Sequence, residues 1–482
     1  MTNERIYSLS KFNKYENGFI LAIALIASIY FTFISYPGFL YSDSFARWNF
    51  VKLLMSDTQL EGNAKNWLTV VPALFMALCY RITDNIGAFT LIQSFLFFFT
   101  GLHLVKEIRN NVESTVLISL LYVTFPIFAI FSVYHATDIF VVIGCNMILV
   151  STFRQMRNGR HDNLYLYSLL TFIAFVFIFG FRQNALSMIP MFALLCFFLY
   201  RKIRSKSIVI VQTVALVLSL IGISVTPHIM NIYKYDVSAV GTGWEIISAI
   251  KLMKDANDPA YEKYSAYLDY LGNTKLAVEQ NQDTSIWGAY TGDKLSLDLA
   301  ATPENASRIK RDYLNLALDK QKFFLVNKIN FIKRSLGIGH DLGSAILLEN
   351  DHTEMGMMKE YGVSDTLMRR EMYQDYKSFV SDYPIIKKPY ALFLIDLILL
   401  GVASLIYRNK TKLFPYYMIY GFAVFYYLGF LITTQSHEFR YFFPSMFFIV
   451  LISSSLVIDT IITVVKNAVI KLRTTNKLEE AK

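Results

Sequence analysis

Along this chain of 482 residues, long apolar runs alternate with short polar junctions that hold most of the charge. About 20 mostly apolar residues are needed to cross about 30 Å of hydrocarbon. Runs of that kind begin near Gly18, Ile86, Ser114, Ile139, Leu164, Ala185, Ser207, Tyr390, Phe414 and Ser445. One further run, Trp67 to Tyr80, is apolar but short, contains Pro72, and ends at Arg81 and Asp84. Counting it as a span would invert every loop after it, so the placement of Lys and Arg decides. With ten spans and the N-terminus inside, the cytoplasmic segments carry Lys11 and Lys14, Lys106 and Arg109, Arg154, Arg157 and Arg160, the Arg201 to Lys206 group, Arg408, Lys410 and Lys412, and finally Lys466, Lys471 and Arg473. Trp67 to Tyr80 is therefore predicted to be an interfacial or re-entrant helix on the outer side. The polar start, Met1 to Asn17, leads into an apolar run without a small-residue cleavage site and reads as a retained anchor.

This pattern predicts an all-α polytopic membrane protein of about ten transmembrane helices with a large, mostly helical outer loop. Residues 1–228 form an N-terminal transmembrane module of about seven helices, including a first outer loop at 39–85. Residues 229–388 form the large outer loop, and 389–482 hold about three helices and a basic cytoplasmic tail. The large loop is short of the apolar periodicity of a large independent core, but Ala306 to Leu318 and Lys322 to Leu336 read as helices. In the second, Phe323, Phe324, Val326, Ile329, Phe331 and Ile332 alternate with Lys322, Lys328, Lys333 and Arg334. That suits either a helix lying on the membrane surface or one packed on the loop's own core. No internal repeat is visible, so a transporter of two matching halves gains no support.

Composition agrees: 54% of residues are hydrophobic, 16% aromatic and only 17% charged, too much apolar surface for a soluble chain to hide. The net charge of +9 is explained by basic residues at membrane edges and does not call for nucleic acid. Cys79, Cys145 and Cys196 all lie in apolar segments without zinc or redox spacing, and the large loop has no cysteine. No His, Asp and Glu cluster on the outer side has convincing metal spacing, so metal-independent chemistry is expected.

Ionisable groups at a membrane boundary are costly without a partner or a cavity, which makes each a site candidate. Tyr36-Pro37-Gly38 ends the first span, and Asp43, Arg47 and Trp48 follow; Asp43 is a candidate carboxylate at headgroup depth or else a helix N-cap. His135-Ala136-Thr137-Asp138 places a second acid at an outer helix start, again open to a capping role. Arg182 and Asn184 stand in the turn between the fifth and sixth spans, where an outer arginine suits anion binding. The densest junction, His437-Glu438-Phe439-Arg440-Tyr441, either serves a site or pairs Glu438 with Arg440 internally.

The acid after the Pro-Gly break, the short interfacial helix, the Arg-x-Asn turn and the Arg-Tyr-Phe-x-Pro stretch before the last span together resemble the GT-C superfamily of membrane glycosyltransferases. Among these the chain is most similar to bacterial serotype-converting O-antigen glucosyltransferases. The resemblance implies an inverting hexosyltransferase in the bacterial inner membrane, with both termini cytoplasmic and the active site periplasmic. It would move a sugar such as glucose from a polyprenyl-phosphate donor to a cell-surface glycan such as the O-antigen of lipopolysaccharide. Asp43 would be the general base, with Asp138 and Glu438 in catalytic support. Arg182 and Arg440, with His437 and Tyr441, would bind the lipid phosphate. Arg47, Trp48, Asn184, Trp244 and Trp287, with Tyr290, would contact acceptor or sugar.

No cofactor beyond the donor lipid is implied. The implied partners are membrane lipid, the glycan acceptor, and an upstream polyprenyl-phosphate glycosyltransferase and small flippase. One departure stands out: Asn66-Trp67-Leu68-Thr69-Val70-Val71-Pro72 lacks the charged or imidazole group that many relatives carry before the proline. An O-antigen polymerase and a flippase or transporter for lipid-linked oligosaccharides are the competing readings.

Overall fold

A computed structural model describes residues 3–40, 42–55, 70–83, 85–108, 112–158, 164–230, 232, 236–281, 286–342, 366–407, 410–432 and 437–480. Within hydrocarbon no water can satisfy the backbone, so each apolar run closes its own hydrogen bonds as a helix. Helices α1 (Asn3–Ser35), α2 (Ser42–Met55), α3 (Val70–Thr83), α4 (Gly87–Ile108), α5 (Val112–Thr124), α6 (Pro126–Ser132), α7 (Asp138–Asn158), α8 (Leu164–Phe181), α9 (Ile189–Ile203) and α10 (Lys206–Ile229) make up the first part. The loop contributes α11 (Val237–Asp255), four helices of six residues or fewer, α12 (Ala260–Tyr264), α13 (Thr274–Glu279), α14 (Trp287–Tyr290) and α15 (Leu297–Ala301), then α16 (Pro303–Asp319), α17 (Gln321–Ser335) and α18 (Leu367–Asp382). Helices α19 (Pro389–Ile406), α20 (Phe414–Ile432) and α21 (Phe439–Glu480) complete it.

Among the described residues nine helices are long and apolar enough to cross a membrane, and the pair α5 and α6, bent by 65°, makes either a tenth, broken span or a re-entrant loop. The bend has a local cause. Pro126 cannot donate a backbone hydrogen bond and pushes the residue before it out of the helical region, and Phe125 sits at φ −69°, ψ 116°. Nine of the ten predicted spans therefore appear as single helices, and the third predicted run forms the bent pair. The short apolar run also forms a helix, α3, whose Phe75 packs against Phe89, Phe140, Phe177 and Phe181 at the adjoining ends of α4, α7 and α8. Residues 67–69 of the expected helix, with the rest of the departing stretch before Val70, lie outside the described residues.

Two hydrophobic cores divide the molecule. The larger runs through the spans of both transmembrane segments and also takes in Leu342, Tyr376, Val380 and Ile386, so the last part of the loop packs on the bundle. The smaller belongs to the loop alone and gathers Trp244, Ile247, Ile250, Leu268, Ala289, Leu295, Ile309 and Phe331. This corrects the expectation that the loop lacks a substantial core of its own. Short helices each supply only a few buried residues, so no long periodic pattern betrays them.

Helix α17 packs on the loop's own core through Asn327 and Phe331, and leaves Leu325 and Ile329 59% and 48% exposed. Its end is tied to the spans, with the Tyr427 hydroxyl donating to the Ser335 carbonyl and Tyr390 N to that of Leu336 at 3.1 Å. The two mid-span acids are each held by a serine of a neighbouring helix, Asp396 by Ser453 and Asp459 by Ser114.

Candidate functional site at the loop-bearing end

By alternation of the spans, the C-terminal ends of α1, α6, α8 and α20 and the N-terminal ends of α4, α7 and α21 meet at the end that carries the loop. The chain leaves α1 through Gly38, whose φ of +115° favours glycine. A side chain there would also meet His135 Nε2 and Thr90 Oγ1 at 2.7 Å and the Val133 carbonyl at 2.9 Å. Phe39 then forms a parallel bridge with Tyr134, its N donating to Val133 O at 2.9 Å and its O accepting from His135 N at 3.0 Å.

His135 organises this crossing. Trp48 Nε1 donates to His135 Nδ1 at 3.2 Å, His135 Nε2 lies 2.6 Å from Thr90 Oγ1, and Thr90 donates to the Pro37 carbonyl. One tautomer satisfies the chain, a neutral imidazole with its proton on Nε2. Burial, and then the nearby Arg47 and Arg369, push the His135 pKa down to about 3, which keeps the ring neutral. The His135 carbonyl accepts from Ser44 Oγ at 3.0 Å and Arg47 Nη1 at 3.1 Å. Gln93 Nε2 donates to the carbonyls of Ser132 and Tyr134. Arg369, returning from α18, donates Nη2 to Gly38 O at 3.1 Å with its guanidinium 4.9 Å from the Phe39 ring centroid.

On this frame stand two ion pairs. Asp138 is fully buried, and its carboxylate accepts from Arg182 Nε at 2.8 Å, from Arg182 Nη2, and from the Tyr426 hydroxyl at 2.8 Å. Its acceptors are thus engaged by other helices instead of capping its own. Arg182 stays 19% exposed, and its Nη1 has no partner among the described residues. In the second pair Arg440 reaches Asp43 Oδ2 through Nη1 at 2.9 Å, Glu438 Oε2 through Nε at 2.6 Å, and the Tyr441 hydroxyl through Nη2 at 2.9 Å. The internal Glu438–Arg440 pairing is therefore present, with Asp43 added to it. The Tyr441 ring joins the two halves, its centroid 5.1 Å from the Arg182 guanidinium and 4.8 Å from that of Arg440.

Asp43 is the accessible acid. Its side chain is 29% exposed, and its Oδ1 has no partner among the described residues. Burial pushes its pKa up, but Arg440, Arg47 and Arg182 together outweigh that, so the carboxyl lies below its ordinary value. Asp43, Asp138 and Glu438 thus share this end of the bundle with Arg47, Arg182, Arg369 and Arg440.

The other predicted residues are placed as follows. His437 is buried and lies edge-on to Trp244 at 6.0 Å and Phe331 at 5.7 Å, so it joins the loop core to the cluster. Trp48 and Trp244 offer no ring face to solvent. Trp48 is packed beneath the crossing, and Trp244 stacks on Phe331 at 4.5 Å and donates to Asn281. Those contacts give both rings packing roles in place of the expected sugar contacts. Asn184 is half-buried in the 3-10 turn after Arg182, Tyr290 is buried in the loop core, and Trp287 is half-exposed.

Sequence reasoning missed Thr90, Gln93, Arg369 and Tyr426 and gave His135 no role. Thr90 and Gln93, polar residues three apart on an apolar helix, were the readable signal; Tyr426 stands among other aromatics and carries none. Among the described residues no three or more His, Cys, Asp or Glu side chains are grouped to hold a metal ion. Comparison with family models, with curated proteins and with solved structures gives no match.

Proposed function

We propose that this membrane protein is an inverting glycosyltransferase of the GT-C kind, moving a hexose such as glucose from a polyprenyl-phosphate donor to a cell-surface glycan at the outer face of a bacterial inner membrane. The observation that carries the reading is a partly exposed carboxylate of lowered pKa, Asp43, beside Arg182 at one end of the bundle, with Asp43 Oδ1 and Arg182 Nη1 open among the described residues. The acceptor hydroxyl oxygen attacks the anomeric carbon as the bond from that carbon to the phosphate oxygen breaks. Asp43 Oδ1 takes the hydroxyl proton, and polyprenyl phosphate leaves with its charge against Arg182. Arg440 keeps Asp43 ionised and aimed, and Asp138 holds Arg182 by one edge so that the other can face a phosphate.

Among the described residues the mid-span acids are chiefly Asp396 and Asp459, each held by a serine, while the acid–arginine groups gather at one end, which favours this reading over a flippase. Purified protein presented with a panel of polyprenyl-phosphate sugars and a lipopolysaccharide acceptor is expected to release polyprenyl phosphate from one of them, with the anomeric configuration inverted in the product. Release from none, or a product of retained configuration, would defeat the proposal.

A further inference from the structure

At the end of the bundle opposite the acid–arginine cluster, the last turns of α4, α7 and α9 and the start of α20 enclose a cavity of about 780 Å³. Its lining joins two chemistries. Phe153, Phe198 and Phe414 form an aromatic wall, with Phe198 meeting Phe414 edge-on at 5.0 Å. Arg157, Arg201, Lys202 and Lys412 supply positive charge. The one acid in the lining, Glu107, is 4% exposed and already paired with Arg157 at 2.6 Å. Among the described residues Arg201, Lys202 and Lys412 have no acidic partner, so three cations share one concave site.

A cavity at the ends of membrane spans lies at headgroup depth, and basic pockets between spans suit phosphate headgroups. The aromatic wall runs on into the apolar flank of the bundle, where Tyr417, on the cavity rim, is 45% exposed. A soluble anion would use the cations and leave the aromatic wall unused. A phospholipid uses both.

We propose that this cavity is a binding site for an anionic phospholipid, with its phosphate among Arg201, Lys202 and Lys412 and the upper part of its acyl chains along Phe198, Phe414 and Tyr417. The site stands on its own residues and does not depend on the reaction proposed above. A cation near an anionic lipid surface contributes roughly a fivefold gain in binding, so removing three is expected to weaken retention by about a hundredfold.

The test is native mass spectrometry of the full chain in detergent, with phosphatidylglycerol, phosphatidylcholine or inorganic phosphate added. The wild type is expected to retain phosphatidylglycerol, not phosphatidylcholine, and inorganic phosphate at equal concentration is not expected to displace it. The variant combining Arg201→Gln, Lys202→Gln and Lys412→Gln should lose that retention, and Lys412→Gln alone should show a partial loss at an unchanged melting temperature. Equal retention by the triple variant or equal retention of phosphatidylcholine would overturn the proposal, as would displacement by inorganic phosphate, which would assign the cations to a soluble anion. Undiminished retention by Lys412→Gln would do so as well should the triple variant fail to fold.

Discussion

Asp43 and Asp138 both stand in the first turn of a helix at the same end of the molecule, and both face an arginine, yet the two pairs are built differently. Asp138 is fully buried with both oxygens occupied by Arg182 and Tyr426. Asp43 shares Arg440 with Glu438, keeps one oxygen open among the described residues and is partly exposed. A buried pair with every acceptor used fixes geometry; a half-open one offers an atom to a reactant. In the proposed reaction the closed pair is therefore the fixture and the open pair the reacting half.

Substitutions can break that contrast. Asp43→Asn removes the base without stranding a deep charge, and sugar transfer should fall about 10²- to 10⁴-fold with little change in melting temperature; a near-normal turnover would remove Asp43 from the reaction. Asp138→Asn leaves Arg182 without its partner in a buried setting, and the cost should be about 3–5 kcal/mol, read as a large drop in the unfolding midpoint in detergent. If Asp43→Asn destabilised the protein equally, the two pairs would not differ in kind.

Arg440→Lys sharpens the open half. One ammonium cannot span Asp43, Glu438 and the Tyr441 hydroxyl at once, so turnover should drop about tenfold. The pH profile supplies the sign. The depressed Asp43 pKa keeps the carboxylate ionised down through the ordinary value of about 3.9, and the acid limb of activity lies below that. In Arg440→Lys the guanidinium's contribution weakens and the limb should move to higher pH; an unmoved limb would show that Arg440 does not hold the proton affinity down. Tyr426→Phe is the mildest change, deleting one hydrogen bond to Asp138 for about 1 kcal/mol, visible as a small shift in melting temperature at unchanged turnover.

Much of this was legible in the chain because hydropathy and charge sidedness are read over long windows. The nine single-helix spans, the bent pair, the short helix within the first loop, and α16 and α17 all follow from apolar runs and their flanks. The junction acids and arginines stood out because charge at a membrane edge is costly. Their pairing did not, since Asp43 meets Arg440 across 397 positions and Tyr426 meets Asp138 across 288, distances that only the packed bundle closes. Trp48 and Trp244 misled for a related reason: an aromatic near a loop reads the same in sequence whether it lines a cleft or fills a core. The loop core was hidden because its short helices each bury only a few residues.

The bridge between Phe39 and Tyr134 carries one more consequence. It zips the segment leading to Asp43 onto the segment leading to Asp138, with Arg369 clasping the same crossing from behind. The two aspartates are therefore carried by segments that are hydrogen-bonded to each other. Across from these segments, His437 ties the junction before the last helix to the loop core, and Arg440 fastens that junction to Asp43 at 2.9 Å, so a displacement of either side would be felt at Asp43.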